Sequence, residues 1–197
     1  MGLERKRERT ISTYTQQLKK VLDDLLPEGP NEATLRHRVE PVLAEFCAEV
    51  EVSQAIHDEY MVARGKIADA VFDRLVMEFK RPGILSSLQT RAKAIEQLKE
   101  YVEGLAKKER RKRLAGVVFD GEKLVFMRFR SGHITVEPPC PADRVALEKL
   151  LRWLAGLSSG TALTAENLAR DFSIDQPRTQ AAIGALYHAL TDHLLSE

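Results

Sequence analysis

The chain has 197 residues, 44% hydrophobic and 30% charged, a balance that excludes a fibrous or disordered protein and allows one sizeable core with a small appendage. No apolar run approaches the ~18 to 20 residues that cross a bilayer, and the charged start from Met1 to Thr10 carries no apolar signal segment, so a cytoplasmic protein with no membrane partner is expected. The formal net charge is only +1, yet cations gather at Arg5, Lys6, Arg7 and Arg9 and again at Lys107, Lys108, Arg110, Arg111, Lys112 and Arg113; distribution says more than the sum.

In chain order, Ile11, Tyr14, Leu18, Val21, Leu22 and Leu25 recur at helical spacing and predict a first helix from Leu3 to Leu26, stopped by Pro27-Glu28-Gly29-Pro30. Asn31 is suited to cap a second helix with the face Leu35, Val39, Val42, Leu43 and Phe46, in which Pro41 marks a kink or bend. From Val50 to Lys80 the pattern turns strand-like: Tyr60 and Val62, then Ile67 to Phe72, then Leu75 to Lys80, ended by Arg81-Pro82-Gly83. A long helix is expected from Ser86 to Lys108, with Leu88, Ala92, Ile95, Leu98, Val102 and Leu105 on one stripe.

Gly116 to Phe119 and Leu124 to Phe129 flank Asp120-Gly121, a turn dipeptide suited to a hairpin, and Ile134 to Val136 adds a third strand. After the linker Pro138-Pro139-Cys140-Pro141, helices are expected over 145–157, 164–172 and 176–195. The order suits an α/β layer with a helical tail: residues 1–138 as the main domain and 139–197 as a helical connector or accessory segment. Cys47 and Cys140 lie far apart and read as buried free thiols, and the five histidines show no ligand spacing.

Chemistry concentrates at Asp69, Glu78 and Lys80. Residues two apart on a strand share a face, so Glu78 and Lys80 are displayed together while Met77 and Phe79 point the other way. Asp69 is a charge embedded among Ile67, Val71 and Phe72, and a charge in apolar sequence needs a reason. Two converging carboxylates supply the hard oxygen ligands that Mg²⁺ prefers, and Lys80 beside them supplies a point charge for a phosphate or an attacking water. The same tripeptide pattern at Glu4-Arg5-Lys6 lies in a charged setting and predicts nothing.

Gly65-Lys66-Ile67-Ala68-Asp69-Ala70, followed by Val76-Met77-Glu78-Phe79-Lys80-Arg81-Pro82-Gly83, resembles the PD-(D/E)xK nucleases, among them the nuclease domains of restriction enzymes. The resemblance covers roughly Asn31 to Val136. It implies an α/β fold with a restriction-endonuclease-like mixed central sheet flanked by helices and a C-terminal helical segment. It also implies Asp69 and Glu78 as metal ligands, Lys80 as the catalytic lysine, and a further helical Glu as a ligand. Glu32 and Glu40 both qualify for that last place, with Arg36 midway between them; Glu32, at the helix start, is the closer match.

Gln97-Leu98-Lys99-Glu100-Tyr101 matches the Gln-x-x-x-Tyr motif of type I and single-polypeptide ATP-driven restriction nucleases, and its spacing puts Gln97 and Tyr101 on one helix face, to reach DNA or brace the site. Lys107, Arg110 and Arg111 are candidate phosphate contacts that weaken with salt. A Gly-rich phosphate loop ending in Lys-Ser/Thr is absent from the sequence. The resemblance thus implies a Mg²⁺-dependent DNA endonuclease, with Mn²⁺ able to substitute, acting as the cleavage module of a restriction-modification assembly and pairing as a dimer when both strands are cut. Two rival readings are an inactive nucleic-acid-binding or coupling module of the same fold and a plain interaction domain.

Overall fold

Helix α1 spans Gly2–Leu25 and helix α2 Glu32–Glu49 in the computed structural model, which describes residues 2–50, 52, 60–63, 66–156, 179–180 and 183–187. The turn between them is a short 3₁₀ segment ended by Gly29 at φ 65°, a left-handed conformation that favours glycine. Asn31 caps α2 as expected: its Oδ1 accepts the Thr34 N–H at 2.8 Å, satisfying one of the unpaired amides of the first turn. The helix continues through Pro41.

Strands β1 (Tyr60–Ala63) and β2 (Lys66–Ala68) form an antiparallel pair. β3 (Ala70–Phe72), β4 (Leu75–Phe79), β5 (Arg113–Phe119), β6 (Lys123–Arg130) and β7 (His133–Val136) lie side by side in that order, with the short β8 (Cys140–Pro141) also on β6. The sheet is mixed. β4 and β5 run parallel while the other pairs are antiparallel, because helix α3 (Leu88–Lys108) carries the chain back between them. Two features depart from the expected elements. The stretch from Ile67 to Phe72 is split by a bend at Asp69 into β2 and β3, which pair with different neighbours. The proline-rich linker contributes β8, since its edge position needs few backbone donors.

Strand alternation divides the interior into two layers. Leu75, Met77, Phe79, Val117, Phe119 and Phe126 pack under α1, α2 and helix α4 (Arg144–Gly156). Val76, Val118, Val125 and Met127 pack under α3 with Leu98, Tyr101, Val102 and Leu105. Phe46, Phe72, Phe79, Phe119 and Phe126 are completely enclosed, each stabilising the fold by on the order of 2 kcal/mol. α3 sits close to the sheet because β5 offers Gly116 beneath it: a Cβ there would lie 2.9 Å from Leu98 Cγ. Helix α4, the first helix of the expected connector, shares the core of α1 and α2. The helices expected over 164–172 and 176–195 lie largely outside the described residues, of which 179–180 and 183–187 are helical. Among the described residues no helix is long and apolar enough to cross a membrane.

Candidate functional site

β4 alternates strictly, so Glu78 follows Val76 onto the α3 side of the sheet, where it is 2% exposed. Lys80 lies just past the strand end, and its N–H bonds the Phe119 carbonyl at 2.9 Å, carrying the parallel pairing one step further. Its side chain therefore returns to the same side, and Lys80 Nζ meets Glu78 Oε1 at 2.5 Å. The sequence expectation for this pair holds.

Ala70 stands across from Met77, so one more step of the antiparallel register sets Asp69 across from Glu78. There the strand bends, and Asp69 Oδ2 takes over the lost ladder bond by accepting the Phe79 N–H at 2.8 Å. A carboxylate in apolar sequence thus has a structural partner. Its other oxygen lies 3.6 Å from Arg36 Nη1 on α2, and Arg36 Nε also holds Glu40 Oε2 at 3.0 Å. Glu32 Oε1, at the start of α2, is 3.9 Å from Lys80 Nζ. Both helical candidates reach the site, each through a cation: Glu32 through Lys80 and Glu40 through Arg36.

The electrostatics follow from burial. Glu78 is pushed up to about 7, first by desolvation and next by the neighbouring charge of Asp69, with Glu32 adding to it, while the Lys80 ammonium pulls the other way. Burial works to lower Lys80, but its hydrogen bond to Glu78 and the charges of Glu78, Glu32 and Asp69 outweigh it and raise it overall. Lys80 is therefore a fixed cation at neutral pH. Tyr101 on α3 is raised by burial and by the charges of Glu78 and Asp69, and its hydroxyl accepts a 2.8 Å hydrogen bond from Gln97 Nε2. Gln97 and Tyr101 accordingly share one face of α3, as their spacing suggested.

The basic residues at the end of α3 stand elsewhere. Lys107 and Arg110 are exposed at the opposite end of the strands. Arg111, expected as a phosphate contact, is instead tied to the β3–β4 turn. Its Nη1 donates to the Asp73 carbonyl at 2.9 Å and to Asp73 Oδ1 at 2.8 Å, and it also pairs with Glu109. Sequence reasoning noted Arg36 midway between two glutamates but gave it no role; that placement on the helix beside the site was the clue to its contact with Asp69. It took Asp120 for a turn residue alone. Asp120 is fully buried and accepts the N–H groups of Leu85 at 2.8 Å, Glu122 at 3.1 Å and Lys123 at 2.7 Å, holding the loop after Gly83 beside the carboxyl ends of β4 and β5.

Among the described residues no three His, Cys, Asp or Glu side chains stand together in ligating geometry; Lys80 and Arg36 neutralise the carboxylates instead. The donor set nonetheless suits a hard divalent cation. Glu78 Oε2 is buried with no hydrogen-bond partner among the described residues, and an unsatisfied buried carboxylate oxygen facing further negative charge is stabilised by a cation. In open α/β sheets, ligands gather outside the carboxyl ends of parallel strands, where β4 and β5 end here. No protein-family model, curated protein or solved structure matches the chain.

Proposed function

We infer that this chain is a Mg²⁺-dependent DNA endonuclease domain with a restriction-endonuclease-like fold, the cleavage module of a larger restriction-modification protein. The observation that carries the reading is the convergence of Glu78, Lys80 and Asp69 at the end of β4, with an oxygen of Glu78 left unsatisfied. The substrate and the larger assembly rest on the resemblance of the motif.

In this reading Asp69 and Glu78 would hold the cation, with Glu32 or Glu40 as a further ligand from α2. A Mg²⁺ held by these carboxylates would polarise a phosphate oxygen and make a bound water more acidic. Water oxygen forms a bond to phosphorus, the phosphorus bond to the sugar oxygen breaks, the water proton passes to solvent, and the departing sugar oxygen takes up a proton from solvent. Lys80 remains protonated, so it donates hydrogen bonds to the water or to the phosphate oxygen that gains charge, and does not act as the base. Gln97 and Tyr101 form a polar pair on α3 that fits a phosphate of the same strand. Glu78 must be ionised to ligate, which links cation binding to pH.

The test is plasmid cleavage in Mg²⁺ by the full chain, repeated with Asp69→Ala and Lys80→Ala. The wild type nicks and both variants do not; equal trace nicking by all three removes the catalytic reading. A second reading, an inactive binding or coupling module, is favoured by one observation: Asp69 already serves the Phe79 amide and Arg36. That reading predicts DNA binding unaffected by Mg²⁺ and no cleavage.

A further inference from the structure

The two basic runs of the sequence have no part in the site just described. The fold brings them together. Arg113 opens β5 directly across from Arg130 of β6, and Arg130 stands across from His133 of β7. Arg128, one alternation along β6, faces the same way, and all four are exposed. Like charges directly opposite each other on neighbouring strands are destabilising, so the Arg113–Arg130 pair has no value to the fold by itself. Among the described residues neither has an acidic partner, while Arg128 has Glu137 at 3.2 Å.

The row continues onto the helices. The Arg128 guanidinium lies 4.8 Å from the Trp153 ring centroid near the end of α4. Immediately before Trp153, Arg152 holds Glu8 of α1 through two bonds of 2.6 Å, and Arg7 donates to the Ala155 carbonyl. These contacts set the exposed Arg5, Lys6 and Arg9 at the same end of the molecule. The α3–β5 junction, with exposed Lys107, Arg110 and Lys112, closes it.

We propose that this basic end is a contact surface for the sugar-phosphate backbone of nucleic acid, separate from the Asp69–Glu78–Lys80 site. Guanidinium forks match phosphate oxygens, and three adjacent strands hold Arg113, Arg130 and His133 along ~10 Å, enough to face two or three phosphates. The surface and the site lie at opposite ends of β5, ~20 Å apart along the strand. The proposal does not depend on cleavage, because it asks only for phosphate.

The test is fluorescence anisotropy of a labelled 20-base-pair duplex with the full chain in EDTA, titrated with salt. Wild type binds with a steep inverse salt dependence. Arg113→Gln/Arg130→Gln lowers the slope of log affinity against log salt by about 2, and Arg5→Gln/Lys6→Gln/Arg9→Gln by about 3. Lys20→Gln, an exposed cation of α1 outside both surfaces, leaves the slope unchanged, and EDTA keeps the measurement independent of the cleavage reading. Circular dichroism melting confirms that each variant is folded. Salt-insensitive binding by wild type, slopes unchanged in both sets of variants, or tighter binding of a polyglutamate of equal charge would each overturn the proposal, the last in favour of an acidic protein.

Discussion

At the carboxyl end of β4 the charged groups are few, gathered around the buried Glu78 and locked to one another, whereas at the start of β5 they are many, exposed and mutually repelling. Burial makes the first set sensitive to single protons and single substitutions, because each ionised group there depends on named partners: Glu78 on Lys80, Asp69 on Phe79 and Arg36. The second set works by number. Each exposed cation adds a small increment that salt screens, so losing one changes little and losing several changes affinity steadily.

The contrast is most open to breakage by Asp69→Ala and Lys80→Ala, which should each lower plasmid cleavage by at least about a hundredfold, while Asp69→Ala does not lower duplex affinity in EDTA. A parallel loss of affinity would mean that the two ends act as one. Next in size is the pH response. With Glu78 raised to about 7, divalent-cation affinity measured by calorimetry should fall by about tenfold for each pH unit below 7. A flat profile between pH 6 and 8 would remove Glu78 from the ligand set.

Smaller again is the effect on stability without cation. A raised carboxyl means that the folded chain holds the Glu78 proton more tightly than the unfolded one, so this group's contribution is fully present below about 4.5 and is lost as pH rises through about 7. Glu78→Gln should therefore stabilise the cation-free protein at pH 8 by about 1 to 3 kcal/mol and have little effect at pH 4, as read by denaturant unfolding. The smallest effect belongs to the basic end. Arg113→Gln/Arg130→Gln should leave stability within about 0.5 kcal/mol or raise it slightly, since it relieves a repulsion.

Local rules made much of this legible beforehand. Helical spacing in α1, the Asn31 cap, the Asp120-Gly121 hairpin and the shared face of Glu78 and Lys80 depend on neighbours in sequence and stand as expected. On α3 the expected stripe is buried at Leu98, Val102 and Leu105, but its first members, Leu88 and Ala92, are exposed and Ala94 and Tyr101 join the buried face instead. What the sequence hid is non-local. The bend at Asp69 arises because its carboxylate replaces a backbone acceptor for Phe79, ten residues on. Arg111 looked like one more exposed cation until the fold set it against Asp73. The pairing of Arg113 with Arg130, and the docking of the basic start of α1 on α4, required the register of β5 on β6 and the packing of the helices.

The missing side chain of Gly116 sets a clearance. Leu98, which drops into it, lies immediately after Gln97 and one turn before Tyr101, so the height of that helix above β5 governs how far both polar groups stand from Glu78. Gly116→Ala would wedge the helix outward and detune the spacing between α3 and the end of β4 while leaving every ionisable group there untouched, separating the demand for correct chemistry from the demand for correct distance.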